Sequence, residues 1–290
     1  MKKIFSLILL GAMIFFFSVE RAIAGEVLKF VIMVSDKPAE EAPKYAALAK
    51  YIKTSVLGIG EIKLETAQDY AAAAAMFKSG SVDGMFAGSF VAAVFIKQGA
   101  AVPVVRPVLE NDVSTYKAII VALNGTPAFT GPADLKGKKV AYCAYASSGE
   151  VFARSLIEGA DPKTFFTPLI KASHSSALQD VILKRADYAI VKNLTYKDGA
   201  AYPGTIVAGG DTAENPNNTL ILAKKTYDKY GAQIETALVQ VAISADPAAQ
   251  ELKKLFKAKG FVKTTAGDFE HTYSIMANAK IDPATFNFNW

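Results

Sequence analysis

The sequence predicts an α/β protein of two lobes, and three observations predict it. Short apolar runs such as VLKFVIMV (27–34) alternate along the chain with segments of helical composition. One arrangement, a helix followed by a short strand ending in small or polar residues, occurs twice: in QDYAAAAAMFKSGSVDGMFAGS and in SSALQDVILKRADYAIVKN. The chain has 290 residues, more than one ordinary domain needs.

Residues 1–24 read as a cleaved signal peptide, with a basic MKK, an apolar core over 4–17 and a small-residue AIA before Gly25. That core is short for a membrane span, which takes ~20 residues. No cysteine follows the cleavage point to carry a lipid. The run 27–34 is a buried strand, SDKPAEE leads into a helix through APKYAALAKYIKTSV, and IKLET is a second strand. TAQDYAAAAAMFKSG is a strong helix, with Thr66 and Asp69 as a capping pair and Gly80 as its stop. SVDGMFAGS (81–89) is a short strand feeding the helix FVAAVFIKQG. YKAIIVAL (116–123) and NTLILAKK (218–225) read as two strands that cross between the lobes. Lobe 1 then takes 25–117 and 225–290, and lobe 2 takes 118–224. The section after Lys225 reads as mostly helical and packs back onto lobe 1.

VAYCAYASSGEVFARSL runs a strand into a helix through Ala146-Ser147-Ser148-Gly149. Hydroxyls and free amides at the positive end of a helix make a cradle for an anion. Ligands of open α/β sheets sit beyond the carboxyl ends of the strands. Gly88–Ser89 from one half and Lys192–Asn193 from the other therefore face a common cleft.

Catalysis finds no support. The chain lacks G-x-S-x-G, H-E-x-x-H and a P-loop, and GIGEIK lacks the third glycine of a dinucleotide fingerprint. One cysteine and two histidines allow no disulfide framework, zinc knuckle or haem attachment, so neither cofactor nor metal is expected. The formal charge of +5 is spread along the chain. KGKK and ELKKLFKAK are solvated faces and not a nucleic-acid stripe.

PADLKGKKVAYCAYASSGEVFARSLIEGADP, followed by SHSSALQDVILKRADYAIVKN, resembles the periplasmic phosphate/phosphite/phosphonate-binding proteins of ABC importers. QDYAAAAAMFKSGSVDGMFAGS and ENPNNTLIL match that family's lobe-1 segment and return strand, so the resemblance covers nearly the whole mature chain. It implies a two-lobe clamshell that binds a tetrahedral oxyanion, acts as a monomer and delivers its ligand to an ABC permease. The alternative is a sensor of phosphate-type or arsenic oxyanions that presents its liganded state to a membrane histidine kinase.

Carried onto this sequence, the resemblance makes Ser147, Ser148 and the Gly149 amide oxyanion ligands, with His174 beside them as a protonated or neutral N–H donor. Ser89 is a second anchor. Tyr70 either closes over the ligand or is a half-buried core residue, and His271 matches no motif and reads as structural. Lys192 departs from relatives that pair a ligand ammonium with acidic groups here, and it favours a compact, highly charged oxyanion. A shift of one residue would place Asn193 in the pocket instead. Cys143, mid-strand, is either a buried thiol or a soft ligand for trivalent arsenic.

Overall fold

The structure, a computed structural model, describes residues 25–33, 38–143, 148–196 and 201–288. The signal peptide read over 1–24, and Ser147 of the serine pair, lie outside the described residues. Among the described residues the strands are β1 (Glu26–Met33), β2 (Ile59–Ala67), β3 (Gly84–Ala87), β4 (Ala101–Leu109), β5 (Thr115–Tyr116), β6 (Ala118–Leu123), β7 (Lys139–Cys143), β8 (Thr167–Lys171), β9 (Tyr188–Lys192), β10 (Thr205–Gly210), β11 (Asn215–Pro216), β12 (Thr219–Ala223) and β13 (Ala258–Lys263).

They form a six-stranded sheet in the order β13-β4-β12-β3-β1-β2 and a five-stranded sheet in the order β10-β6-β9-β7-β8. A two-stranded ribbon, β11-β5, lies between them in the chain. One end of each sheet is parallel, β3-β1-β2 in the first and β9-β7-β8 in the second. Parallel neighbours need a long crossover. The helices Tyr70–Lys78 and His174–Ile182 supply one in each half, which is the repeat visible in the sequence.

Two expectations need correction. The strands at 116–123 and 218–225 are not the crossovers. β6 pairs with β9 and β10 in the second sheet, whereas β12 pairs with β3 and β4 in the first. The crossing is made by β5 and β11, and lobe 2 therefore ends before β12 and does not run to 224. The mostly apolar TLILA of β12, buried over Thr219–Leu222, pairs between β3 and β4. Thr66 is not part of a cap, because it lies within β2. Asp69 alone caps the helix, its carboxylate accepting from the Ala72 amide at 2.7 Å. The section after Lys225 also holds a strand, β13, at the edge of the first sheet.

Each lobe has its own core, around Ile52, Leu222 and Leu252 in the first and Leu178, Val181 and Val191 in the second. A third apolar cluster spans both lobes. Val94 and Phe95 of the helix Ser89–Lys97 join Val151 and Phe152 of the helix Ser148–Leu156, and Ile275 and Met276 of the helix Glu270–Asn278 join both.

Candidate functional site

Two helices begin at the junction of the lobes, Ser89–Lys97 after β3 and Ser148–Leu156 after β7. Their first residues are buried serines, Ser89 at 2 % and Ser148 at 6 % exposure. Gly149 lets the second helix start so close to its sheet. A Cβ there would stand 2.9 Å from the Ile190 carbonyl oxygen of β9 and 3.3 Å from the Cys143 amide nitrogen.

Tyr116, on the crossover strand β5, ties the two helix starts together. Ser89 Oγ donates to the Pro216 carbonyl at 2.7 Å and pairs with the Tyr116 hydroxyl at 2.8 Å. The same hydroxyl is hydrogen-bonded to Ser148, and burial pushes its pKa well up. Ser148 Oγ also lies 3.3 Å from His174 Nε2. The far ring nitrogen, Nδ1, is buried without a hydrogen-bond partner among the described residues. Burial, reinforced by the charge of Lys192, pulls the His174 pKa down to about 3, so the ring is neutral at ordinary pH. Ser148 donates to Tyr116, so the Nε2–H of His174 donates to Ser148 Oγ and Nδ1 is left as a buried acceptor, which a P–OH of a ligand could satisfy.

Lys192 ends β9, and its ammonium lies 4.1 Å from the centroid of the Tyr116 ring. It donates to Asn218 Oδ1 at 3.2 Å and to Asn217 Oδ1 at 3.4 Å. Among the described residues no carboxylate forms an ion pair with it. Burial lowers its pKa to about 8, and Cys143 opposes that fall. An ammonium held among neutral groups is costly unless an anion joins it.

Of the residues singled out in the sequence, Ser89, Ser148, Gly149, His174 and Lys192 are therefore brought together. Asn193 is not: its Oδ1 accepts from the Lys117 amide at 2.9 Å, which fastens β9 to the crossover. Tyr70 starts its helix beside Phe288, with ring centroids 6.2 Å apart. Burial, aided by Cys143 across the lobe junction, raises its hydroxyl pKa to about 12. Cys143 Sγ reaches the Ala172 carbonyl at 3.5 Å. His271 lies away from this cluster, 2.6 Å from Asp211. Tyr116, Asn217 and Asn218 were missed by sequence reasoning. Tyr116 and Asn218 open the two segments read as crossovers, and both asparagines lie in ENPNNTLIL, but nothing there marks them as site residues.

Two α/β lobes joined by a crossover ribbon, with hydroxyls and a cation converging between them, define a clamshell solute-binding protein. Residues 30–269 match the model of the family described as "ABC transporter, phosphonate, periplasmic substrate-binding protein", and the chain belongs to that family. No curated protein matches it by sequence. Among solved structures it is similar to XAC2383 of Xanthomonas citri with chloride bound, at 17% identity and a TM-score of 0.72, covering 88% of this chain and 97% of that one. It is also similar to PhnD1 of Prochlorococcus marinus in complex with methylphosphonate, at 14% identity and a TM-score of 0.67, covering 88% and 98%. A third is a binding component of an ABC phosphonate transporter from Pseudomonas aeruginosa, at 14% identity and a TM-score of 0.68, covering 88% and 87%. At these identities the likeness is one of fold. It is that of a type II periplasmic binding protein, as expected. No helix among the described residues is long and apolar enough to cross a membrane.

Proposed function

We propose that the protein captures a tetrahedral oxyanion of the phosphate, phosphite or phosphonate type between its lobes and delivers it to an ABC permease. The observation that carries this reading is the convergence of Ser89, Ser148, His174 and Lys192 around Tyr116, with an ammonium that no carboxylate neutralises among the described residues. A doubly charged oxyanion answers this arrangement: it takes the ammonium charge and the amides of the helix starting at Ser148, and where it keeps a P–OH it donates to His174 Nδ1. The methylphosphonate complex of the Prochlorococcus relative supports the same ligand class. We adopt delivery over presentation to a sensor kinase because the family is one of transporter components. We further take residues 1–24 as the export signal, the mature protein as a monomer and Ser147 as a companion of Ser148 in the cradle.

The test is a thermal-shift and calorimetry screen of phosphate, phosphite, methylphosphonate, aminoethylphosphonate, arsenate, arsenite and sulfate. A ligand bound only by the folded state stabilises it by about 2.7 kcal/mol at a hundred times its Kd. Phosphorus oxyanions should raise Tm. A screen in which none does so would refute the reading.

A further inference from the structure

Lys192 needs more than a position at the end of β9 to serve an anion site. A lysine stem has four rotatable bonds, and a desolvated ammonium can lose its proton. Three neighbours address both problems. The face of the Tyr116 ring lies 4.1 Å from Nζ, and the side-chain oxygens of Asn218 and Asn217 accept from it at 3.2 and 3.4 Å. An aromatic face and two amide oxygens attract a cation without cancelling its charge. A carboxylate in the same place would form an ion pair and leave little for a ligand.

These neighbours are themselves fixed. Tyr116 is 1 % exposed, and its hydroxyl is held by Ser89 and Ser148. β11 pairs Asn215 with Tyr116 across the crossover ribbon, which sets the following residues beside the ring. The Asn217 amide donates to the Ser114 carbonyl at 3.0 Å, and the Asn217 carbonyl accepts from Thr219 Oγ1 at 2.9 Å. Gly88 leaves room on the lobe-1 side, since even a Cβ there would stop 4.0 Å from Asn218 Oδ1.

Resting on the oxyanion reading above, we propose that Tyr116, Asn217 and Asn218 are positioning residues that hold the Lys192 ammonium in the cleft as a built-in cation. The pocket thereby selects phosphorus oxyanions whose remaining substituent is small and uncharged, and it rejects ligands that bring an ammonium of their own. Among the described residues the other titratable groups that act with Lys192 are Cys143 on β7, which favours the charged amine, and His174, which burial and the Lys192 charge together keep neutral.

The experiment measures the Kd of inorganic phosphate and of aminoethylphosphonate by calorimetry on Asn218→Asp, Tyr116→Leu and Tyr116→Phe, from about pH 6 to pH 10. The ligand's own ionisation is common to all variants, so differences from the wild type report the protein. Asn218→Asp should bind phosphate about tenfold more weakly near neutral pH and lose that affinity at a higher pH. It should also raise the ratio of aminoethylphosphonate to phosphate affinity by about tenfold. Tyr116→Leu should lose phosphate affinity at a lower pH than the wild type, and Tyr116→Phe, which keeps the ring, should restore the wild-type midpoint. Midpoints that stay put in both Asn218→Asp and Tyr116→Leu, in protein of native Tm, would overturn the positioning role and leave the oxyanion reading standing. A wild type that binds none of these anions would overturn both.

Discussion

Ser148 opens its helix with one hydroxyl shared between Tyr116 and His174. Its replacement by alanine should weaken oxyanion binding by about 0.5–1.5 kcal/mol, the range for an ordinary hydrogen bond, because the hydroxyl holds Tyr116 and His174 in place. Calorimetry on the mature protein measures this, and an unchanged Kd would reduce the serine to a helix cap. Lys192 is the residue on which the proposed ligand choice rests. A dianion gains a charge partner there, whereas an aminophosphonate meets repulsion at its ammonium, so phosphate-like anions should bind more tightly than aminoethylphosphonate. Lys192→Glu should narrow or reverse that order in competition calorimetry. His174 contributes a pH dependence of the opposite kind. Its folded pKa of about 3 lies below the ordinary 6.5, so the unfolded chain takes up a proton that the folded protein excludes. That contribution to stability is present above pH 6.5 and is lost as pH falls towards 3. Denaturant titrations of the wild type and of His174→Gln should keep a constant gap at neutral pH, and in acid the wild type alone should lose stability, because only it must expel a proton to fold. Parallel curves would contradict a neutral buried imidazole.

Among the elements, the helix Ser148–Leu156 matters most, because its start must abut the end of its own sheet. Gly149 makes this possible through the absence of a Cβ, which would otherwise sit 2.9 Å from the backbone of β9. Alanine has the better helix propensity by up to about 1 kcal/mol. The clash is with a carbonyl oxygen in the centre of a sheet and cannot be relieved by a side-chain rotation. Overpacking of this kind costs about 1–3 kcal/mol, so the clash should win. Gly149→Ala is expected to lower Tm and to weaken anion binding together, since a displaced helix start moves the amides as well as Ser148. Equal stability with full affinity would show that the helix tolerates a shift.

For the whole molecule, the crossover ribbon and the apolar cluster shared by helices Ser89–Lys97, Ser148–Leu156 and Glu270–Asn278 link the two lobes. The two crossover segments are short, a geometry suited to hinge motion. Addition of a bound oxyanion should reduce the radius of gyration in solution scattering, and an invariant curve at saturating ligand would rule out closure. Much of this was legible in the sequence. The repeated helix-then-strand unit, the Ser-Ser-Gly junction and the lone lysine in place of an acid depend on local periodicity and residue chemistry, which a sequence displays directly. Asp69 was readable as a cap for the same reason. The sheet that receives TLILA was not readable, because a mostly apolar strand carries no mark of its partner and only the assembled sheets decide which edge is free. Nor could the sequence choose between Lys192 and Asn193, since one residue of register turns a side chain to the opposite face. Tyr116 lies about a hundred positions from Asn217 and Asn218, and although ENPNNTLIL holds both asparagines, nothing local in it says which side chain they meet. Local pattern determined the α/β class with its repeated unit, and the family resemblance the class of protein. Long-range pairing alone set Lys192 on the Tyr116 ring, because the contact exists only after β6 has joined β9 and β5 has joined β11.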